Sequence, residues 1–290
     1  MSRQGKKFGR VYRLTIDMND GSDPIIVMLP FTIQFTVNRM IHSSLNTCYV
    51  DIYNLSSHVR DLIFQEQYTN RNKTLTLEAG YDTLCTIYTG TIFNASSRRD
   101  RTDIVTSIEC LSGSWDVNTA TVYQTLNKGT TLGDMYKFLI GQFPTLELGA
   151  CGKFEDKLAR PVTLNGNVWD LLKRYSNGQV FIDNGRVYVL RRNEVVAGEV
   201  GIVSSETGLL DTPERSDGYL HVHSMFEPDV RLGQDINLTS SVMPIYNGTY
   251  AVYGIQHTGI ISDSVAGDCR TVLDLFTSNL VFETVAENGQ

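Results

Sequence analysis

His221 and His223 stand two apart in the stretch GYLHVHSMF (218–226), so on a strand both side chains leave the same face. His257 lies in a second strand-like stretch, TYAVYGIQHTGI (249–260), and Cys269 follows across a turn in DCRTVLDLF (268–276). Imidazole and thiolate are zinc-ligand chemistry, and the four groups would form a site if the fold gathered them. Their spacing matches no established local ligand pattern, so ordinary sheet side chains are the better reading and no metal site is assigned. Asp17, Asp20 and Asp23, with Asn19 and Gly21 between them, imitate a calcium loop. The loop lacks the Glu at its twelfth position and is flanked by strands rather than helices, so a turn is expected. Arg98, Arg99 and Arg101 cluster in NASSRRDRT and could contact phosphate or an acidic partner. A solvated charged loop that blunts a sheet edge is the stronger reading.

No GxSxG, Walker loop, GxGxxG or HExxH occurs. Paired carboxylates for glycoside cleavage meet only in space, and no pair stands out in the sequence. We therefore assign no catalytic residue, no cofactor-binding residue and no cofactor, and do not expect an enzyme.

The elements that would position these residues differ along the chain. FTIQFTVN (31–38) alternates, with Phe31, Ile33, Phe35 and Val37 on one face and Thr32, Gln34, Thr36 and Asn38 on the other. TCYVDIYNL (47–55) alternates too, with Cys48, Val50 and Ile52 inward. FGRVYRLTID, KTLTLEAGY, TLCTIYTGTIF and TDIVTSIECL read as further strands, and NASSRRDRT as an extended hairpin tip. A short helix is expected over 56–68, capped by Ser56 or Ser57, with Val59, Leu62 and Ile63 as its stripe. The first β region ends near Asp116.

Two helices are expected next. One follows Thr130 or Thr131 as N-cap, with Leu132, Met135, Tyr136, Leu139 and Ile140 inward. The other carries Val168, Leu171, Leu172 and Tyr175, with Gly178 as its stop. QVFID and RVYVL, joined by Asn184-Gly185, form a type I′ hairpin. Residues 144–164 and 191–218 read as irregular. A second β region follows, and the tail VAENGQ is expected to be loose. The fold class is thus β-rich α+β: two antiparallel, barrel-like β domains (1–116 and 199–280) around a helical insert with a hairpin (117–198), then residues 281–290.

The chain of 290 residues has a net charge of −7, which argues against a protein whose main work is gripping nucleic acid. Cys48, Cys85, Cys110, Cys151 and Cys269 are odd in number, widely spaced and without CxxC, so neither a disulfide framework nor a zinc module is expected. MSRQGKKFGRVYRLTI has no apolar segment behind its charges, so no signal peptide is read there. No stretch is apolar over the roughly 18 residues needed to span a bilayer.

Several segments, in order, resemble the baseplate hub proteins of Mu-like and related contractile-tailed bacteriophages. NTCYVDIYNLSSHVRDLI resembles that family's N-t-x-x-V-x-I-Y-N-L-S segment, and TLEAGYDTLCTIYTGTI its A-G-Y…I-[FY]-x-G-x-I segment. TTLGDMYKFLI and NVWDLLKRYSNGQVFIDNGRVYVL look like its helical insert and hairpin. GLLDTPERSDGYLHVHSMFEPDVRLGQDINLTS and NGTYAVYGIQHTGIISD resemble its C-terminal motifs. The chain departs from the pattern at Gly259-Ile260, where Gly-Asp is common, and at Phe226-Glu227-Pro228, where Leu-Asn/Asp-Pro is common.

The resemblance implies a virion protein of the tail baseplate, assembled in the bacterial host cytoplasm. It implies a homotrimeric ring of paired tube-like β domains. One face would meet the hexameric tail tube or its initiator, and the other would hold the trimeric spike, with wedge proteins around it. The lumen would pass the tape measure and then DNA, with no sequence-specific nucleic-acid binding. Competing readings are another tube, distal-tail or injection-device component, a β-rich cell-wall hydrolase, and a carbohydrate-binding or adhesin module. Trp115 and Trp169 do not form the exposed aromatic cluster that the last would need.

Overall fold

The computed structural model describes residues 8–42, 45–67, 72–81, 83–177, 180–198, 201–263, 267–276 and 282–288. In order, the first region contains β1 (Val11–Asp17), β2 (Ile25–Met28), β3 (Ile33–Met40), β4 (Thr47–Tyr53), α1 (Ser57–Ile63), β5 (Thr74–Gly80), β6 (Leu84–Asp100) and β7 (Asp103–Leu111). The middle contains α2 (Ser114–Thr119), β8 (Thr121–Leu126), α3 (Leu132–Ile140), β9 (Glu147–Cys151), β10 (Val162–Asn167), α4 (Val168–Tyr175), β11 (Val180–Asp183) and β12 (Arg186–Val189). The last contains β13 (Glu194–Val196), β14 (Gly201–Ser204), β15 (Glu214–Ser216), β16 (Tyr219–Met225), β17 (Asp235–Thr239), a 3-10 turn (Pro244–Tyr246), β18 (Gly248–Ile261), β19 (Cys269–Phe276) and β20 (Glu283–Val285).

Alternation in sequence becomes pairing in space. Thirteen strands form one sheet, ordered β15-β16-β19-β18-β3-β4-β7-β6-β5-β1-β2, with β17 against β18 and β14 against β17. The order is open at both ends, so among the described residues no closed barrel forms. β18 joins the two β regions. Its first residues pair with β17, Gly254–Ile261 pair with β3 along the same edge, and β19 pairs along the other edge. The long β6 does similar work, pairing β5 along its first half and β7 along its second.

Three apolar cores lie behind this sheet. The first gathers Leu14, Phe35, Val50, Leu77 and Ile108, together with Phe226 and Ile261 from the last region. The second holds Met135, Tyr136 and Leu139 of α3 against Val168, Leu171 and Leu172 of α4 and against Ile182 and Val187. The third packs Val222, Leu238, Val252 and Leu273 with Phe181, Tyr188 and Leu190 of the middle region. Hairpin β11–β12 therefore contributes to two cores. Its turn is the expected one: Asn184 has φ 46° and Gly185 has φ 76°, the pair of positive φ values a type I′ turn needs.

The two insert helices begin as their caps dictate. Thr131 accepts a hydrogen bond from the Asp134 amide at 3.1 Å, and Asn167 accepts from the Asp170 amide at 3.1 Å. Gly178, read as a helix stop, lies outside the described residues.

Several expectations are corrected. The helix read over 56–68 ends at Ile63, because Gln65 instead exchanges two backbone hydrogen bonds with Ala95 of β6. Only Ile63 of its stripe is fully buried, and Leu62 is 45% exposed. NASSRRDRT is not an extended loop. β6 continues to Asp100 and pairs with Asp103, so Arg101 (φ 55°) and Thr102 alone turn the chain. Residues 144–164 and 191–218 contain β9, β13, β14, β15 and the start of β10; β15 forms a hairpin with β16, and the partners of the others are distant in sequence. The described part of the tail, 282–288, is held rather than loose: β20 runs parallel to β13, and the Asn288 amide donates to the Gly149 carbonyl at 2.7 Å, while residues 281, 289 and 290 lie outside the described residues.

Candidate functional site: a buried polar junction

The sheet separates the four metal-competent residues. Cross-strand partners share a face, and the registers pair His221 with Asp274, His223 with Val272 and His257 with Thr271. His221 and His223 therefore lie on the outer face, and His257 and Cys269 on the inner one. His221 Nδ1 sits 2.7 Å from Asp274 Oδ1. Among the described residues, no group of three or more His, Cys, Asp or Glu is placed to hold a metal ion. The aspartates of the first turn serve the turn itself. Asp17 accepts from the Asn19 amide at 2.8 Å, and Asp20 from the Ser22 amide at 3.0 Å. At the hairpin tip, Arg98 donates to Ser107 at 2.7 Å and lies 3.8 Å from Asp51, while Arg99 donates to the Arg101 carbonyl at 3.1 Å.

The polar chemistry concentrates where the three cores meet. Arg39 occupies an inward position of β3, after Ile33, Phe35 and Val37, and is 2% exposed. One guanidinium nitrogen reaches both oxygens of Asp183 on β11, at 3.2 and 3.3 Å. The other donates to the Val230 carbonyl at 3.2 Å and lies 3.3 Å from His257 Nε2. A guanidinium only donates, so His257 Nε2 accepts and its Nδ1–H donates to Thr271 Oγ1 at 2.9 Å. Burial and the neighbouring Arg39 hold His257 well below the ordinary histidine range, so the ring is neutral. Burial raises the Asp183 pKa, and Arg39 opposes the rise.

Asn46 and Glu287 extend this junction. Asn46 accepts from the Met40 amide at 2.9 Å and donates to the Ile182 carbonyl at 2.8 Å. Glu287, 6% exposed, accepts from the Tyr188 hydroxyl at 2.6 Å, Arg231 at 3.0 Å and Arg186 at 3.2 Å. Tyr188 stacks on Phe181 with centroids 5.0 Å apart, and a Cβ on Gly149 would sit 2.5 Å from its ring. Burial, then Glu287, pushes the Tyr188 hydroxyl upward. Apart from Arg39 Nε, which is buried without a hydrogen-bond partner, the groups named here bond to other protein groups, and the junction ties the hairpin to both β regions.

A polar cleft of about 210 Å³ is lined by Lys153, Glu155, Arg191, Asn193, Glu194 and Glu283. Glu194 already accepts from the Lys153 and Arg191 amides at 3.0 and 2.8 Å. Sequence reading passed over Arg39, Asn46, Asp183 and Glu287. One signal was available: Arg39 is a charge in an apolar column.

The family model described as baseplate hub gp41 matches residues 11–262. The chain belongs to the baseplate hub gp41 family. Solved structures agree with this hub in fold. A 43 kDa tail protein of prophage MuSo2 from Shewanella oneidensis is 10% identical, with a TM-score of 0.61 over 91% of this chain and 96% of that one. A tail protein from Neisseria meningitidis MC58 is 10% identical, with a TM-score of 0.56 over 92% and 96%. An Escherichia coli protein, described as a type VI secretion component similar to the T4 tail proteins gp27 and gp5, is 8% identical. It superposes with a TM-score of 0.54 over 87% of the hub and 74% of its own length. No curated relative matches the sequence. The family is one of structural tail proteins, which places the hub in the phage baseplate, and no described helix is long and apolar enough to cross a membrane.

Proposed function

We propose that the hub works mechanically, as a homotrimeric ring at the tip of a contractile tail. In this reading each protomer brings two tube-like β units, and the ring matches the hexameric tail tube on one face and the trimeric spike on the other. Wedge proteins surround it, and the tape measure and then DNA pass through its lumen. The helical insert with its hairpin is the third unit and sets the angle between the other two.

The observation that carries this reading is the pairing of β18 with β3. It joins the β regions into one sheet, and the Arg39–Asp183 pair locks the insert hairpin behind the joint. A part that bears load between symmetric rings needs its units held in one relation, and the buried polar groups here serve that purpose rather than binding a substrate. The likeness to the type VI component favours a second reading, the hub of another contractile injection device. Immunogold labelling of purified tails carrying a tagged chain tests the proposal. Label at the tip alone, with trimer stoichiometry, supports it; label along the tube, or none, overturns it.

A further inference from the structure

Among the described residues, β13 has one strand partner, and it is the tail. The two form a sheet of their own, with Glu194 opposite Glu283, Val195 opposite Thr284 and Val196 opposite Val285. The Glu283 amide donates to the Asn193 carbonyl at 2.9 Å, and the Ala197 amide donates to the Val285 carbonyl at 2.8 Å. Four residues beyond Glu283, the side chain of Glu287 enters a seat shaped for a carboxylate. The Tyr188 hydroxyl, Arg186 and Arg231 converge on it. Two of these donors are guanidinium groups, whose geometry and permanent charge suit a carboxylate.

The rest of the chain supplies this seat as a rigid framework. Arg186 and Tyr188 stand on β12, and Tyr188, Val196 and Leu232 belong to the third core. The Val196 amide donates to the Gly233 carbonyl at 2.9 Å, which fixes β13 to that core. The tail adds little in return: Val285 packs against the core and is only half-buried. Arg186 and Arg231 are 39% and 57% exposed, so the seat opens to water. Backbone pairing and one carboxylate hold the tail, and it can leave or enter without opening a core. The contacts are the same whichever protomer supplies the segment.

We propose that in the homotrimer the strand seated on β13 comes from the neighbouring protomer, as an exchanged strap of residues 283–288. The inference rests on the homotrimer reading above and names a tie between its protomers. Main-chain bonds give an added strand its affinity, and the carboxylate seat fixes its register. A closed ring keeps the neighbour's tail at high effective concentration, so a seat only three residue pairs long still fills.

Asn193 and Glu283 line one cleft, so a disulfide between them reports whose tail is seated. The double variant Asn193→Cys with Glu283→Cys is oxidised with diamide in purified tails and run on a non-reducing gel. A tail seated in its own chain gives a link within that chain; an exchanged tail gives links between chains. The proposal predicts covalent dimers and trimers, with none from the native chain and its five cysteines. Links only within chains, at tips that hold three copies, overturn the exchange and leave the hub reading standing. Absence of the chain from the tip overturns the hub reading instead. No disulfide of either kind contradicts the seating of the tail on β13, and the exchange with it. Tails assembled from two kinds of chain, one carrying Asn193→Cys alone and the other Glu283→Cys alone, give a second reading. Exchange joins one kind to the other, whereas tails seated in their own chains leave both unlinked.

Discussion

Arg39 and Asp183 are 144 positions apart and meet as a buried ion pair, with both carboxylate oxygens within 3.3 Å of one guanidinium nitrogen. The pair ties β3 of the first region to the insert hairpin, and Arg39 reaches on to His257 of the last region. Removing one partner strands a charge among apolar side chains. Asp183→Ala is expected to destabilise the hub by roughly 3–5 kcal/mol, measured by chemical denaturation. Arg39→Met combined with Asp183→Leu should recover most of that loss, because no uncompensated charge remains. A double variant as unstable as the single one would mean that the pair contributes more than mutual neutralisation.

His257 gives the junction a pH dependence. Its folded pKa lies well below the ordinary histidine value of 6.5, so the unfolded chain binds a proton that the folded one refuses. Stability is therefore present above pH 6.5 and is lost as pH falls toward the folded pKa. Asp183 acts with the opposite sign in the window above the ordinary aspartate value of 3.8, where its raised pKa lets the fold bind the proton first. Melting temperatures between neutral and mildly acidic pH should fall for the wild type and fall less for His257→Gln. Parallel slopes would remove His257 from the account.

Glu287 carries the order of the tail. Glu287→Ala leaves the Tyr188 hydroxyl without its acceptor beside the Phe181 ring, and is expected to cost about 1–3 kcal/mol. Limited proteolysis should then cleave near β20 before the rest of the chain, because the parallel pairing with β13 covers only three residue pairs.

The thiols should divide by burial. Cys48 and Cys110 face each other across β4 and β7, are fully buried, and have pKa values raised by that burial. Burial pushes Cys151 and Cys269 up to about 11. Alkylation of the native chain near neutral pH should therefore spare Cys48 and Cys110, and all five cysteines should react in denaturant. Fast native labelling of Cys48 would contradict its place in the core.

How much of this was legible in the sequence depends on the range of the interaction. Alternation located β3, β4, β16 and β18, and capping residues placed α3 and α4, because each signal lies within a few residues. Asn184-Gly185 fixed its hairpin for the same reason. β13, β14 and β20 are too short to show a period, and each is held by a parallel partner far along the chain. The turn after Asp100 was misplaced because polar residues paired with β7 look like loop. The junction was the least legible part: Arg39, Asp183, His257 and Glu287 become neighbours only when three cores close on them. Arg39 alone broke the pattern of its own strand.

Affinity capture of the tagged chain from producing cells, followed by mass spectrometry, tests the central claim most directly. The account predicts co-recovery of a trimeric spike protein together with tail-tube or wedge components. Recovery of the chain with none of these, above all with wall-degrading activity in the eluate, would contradict it.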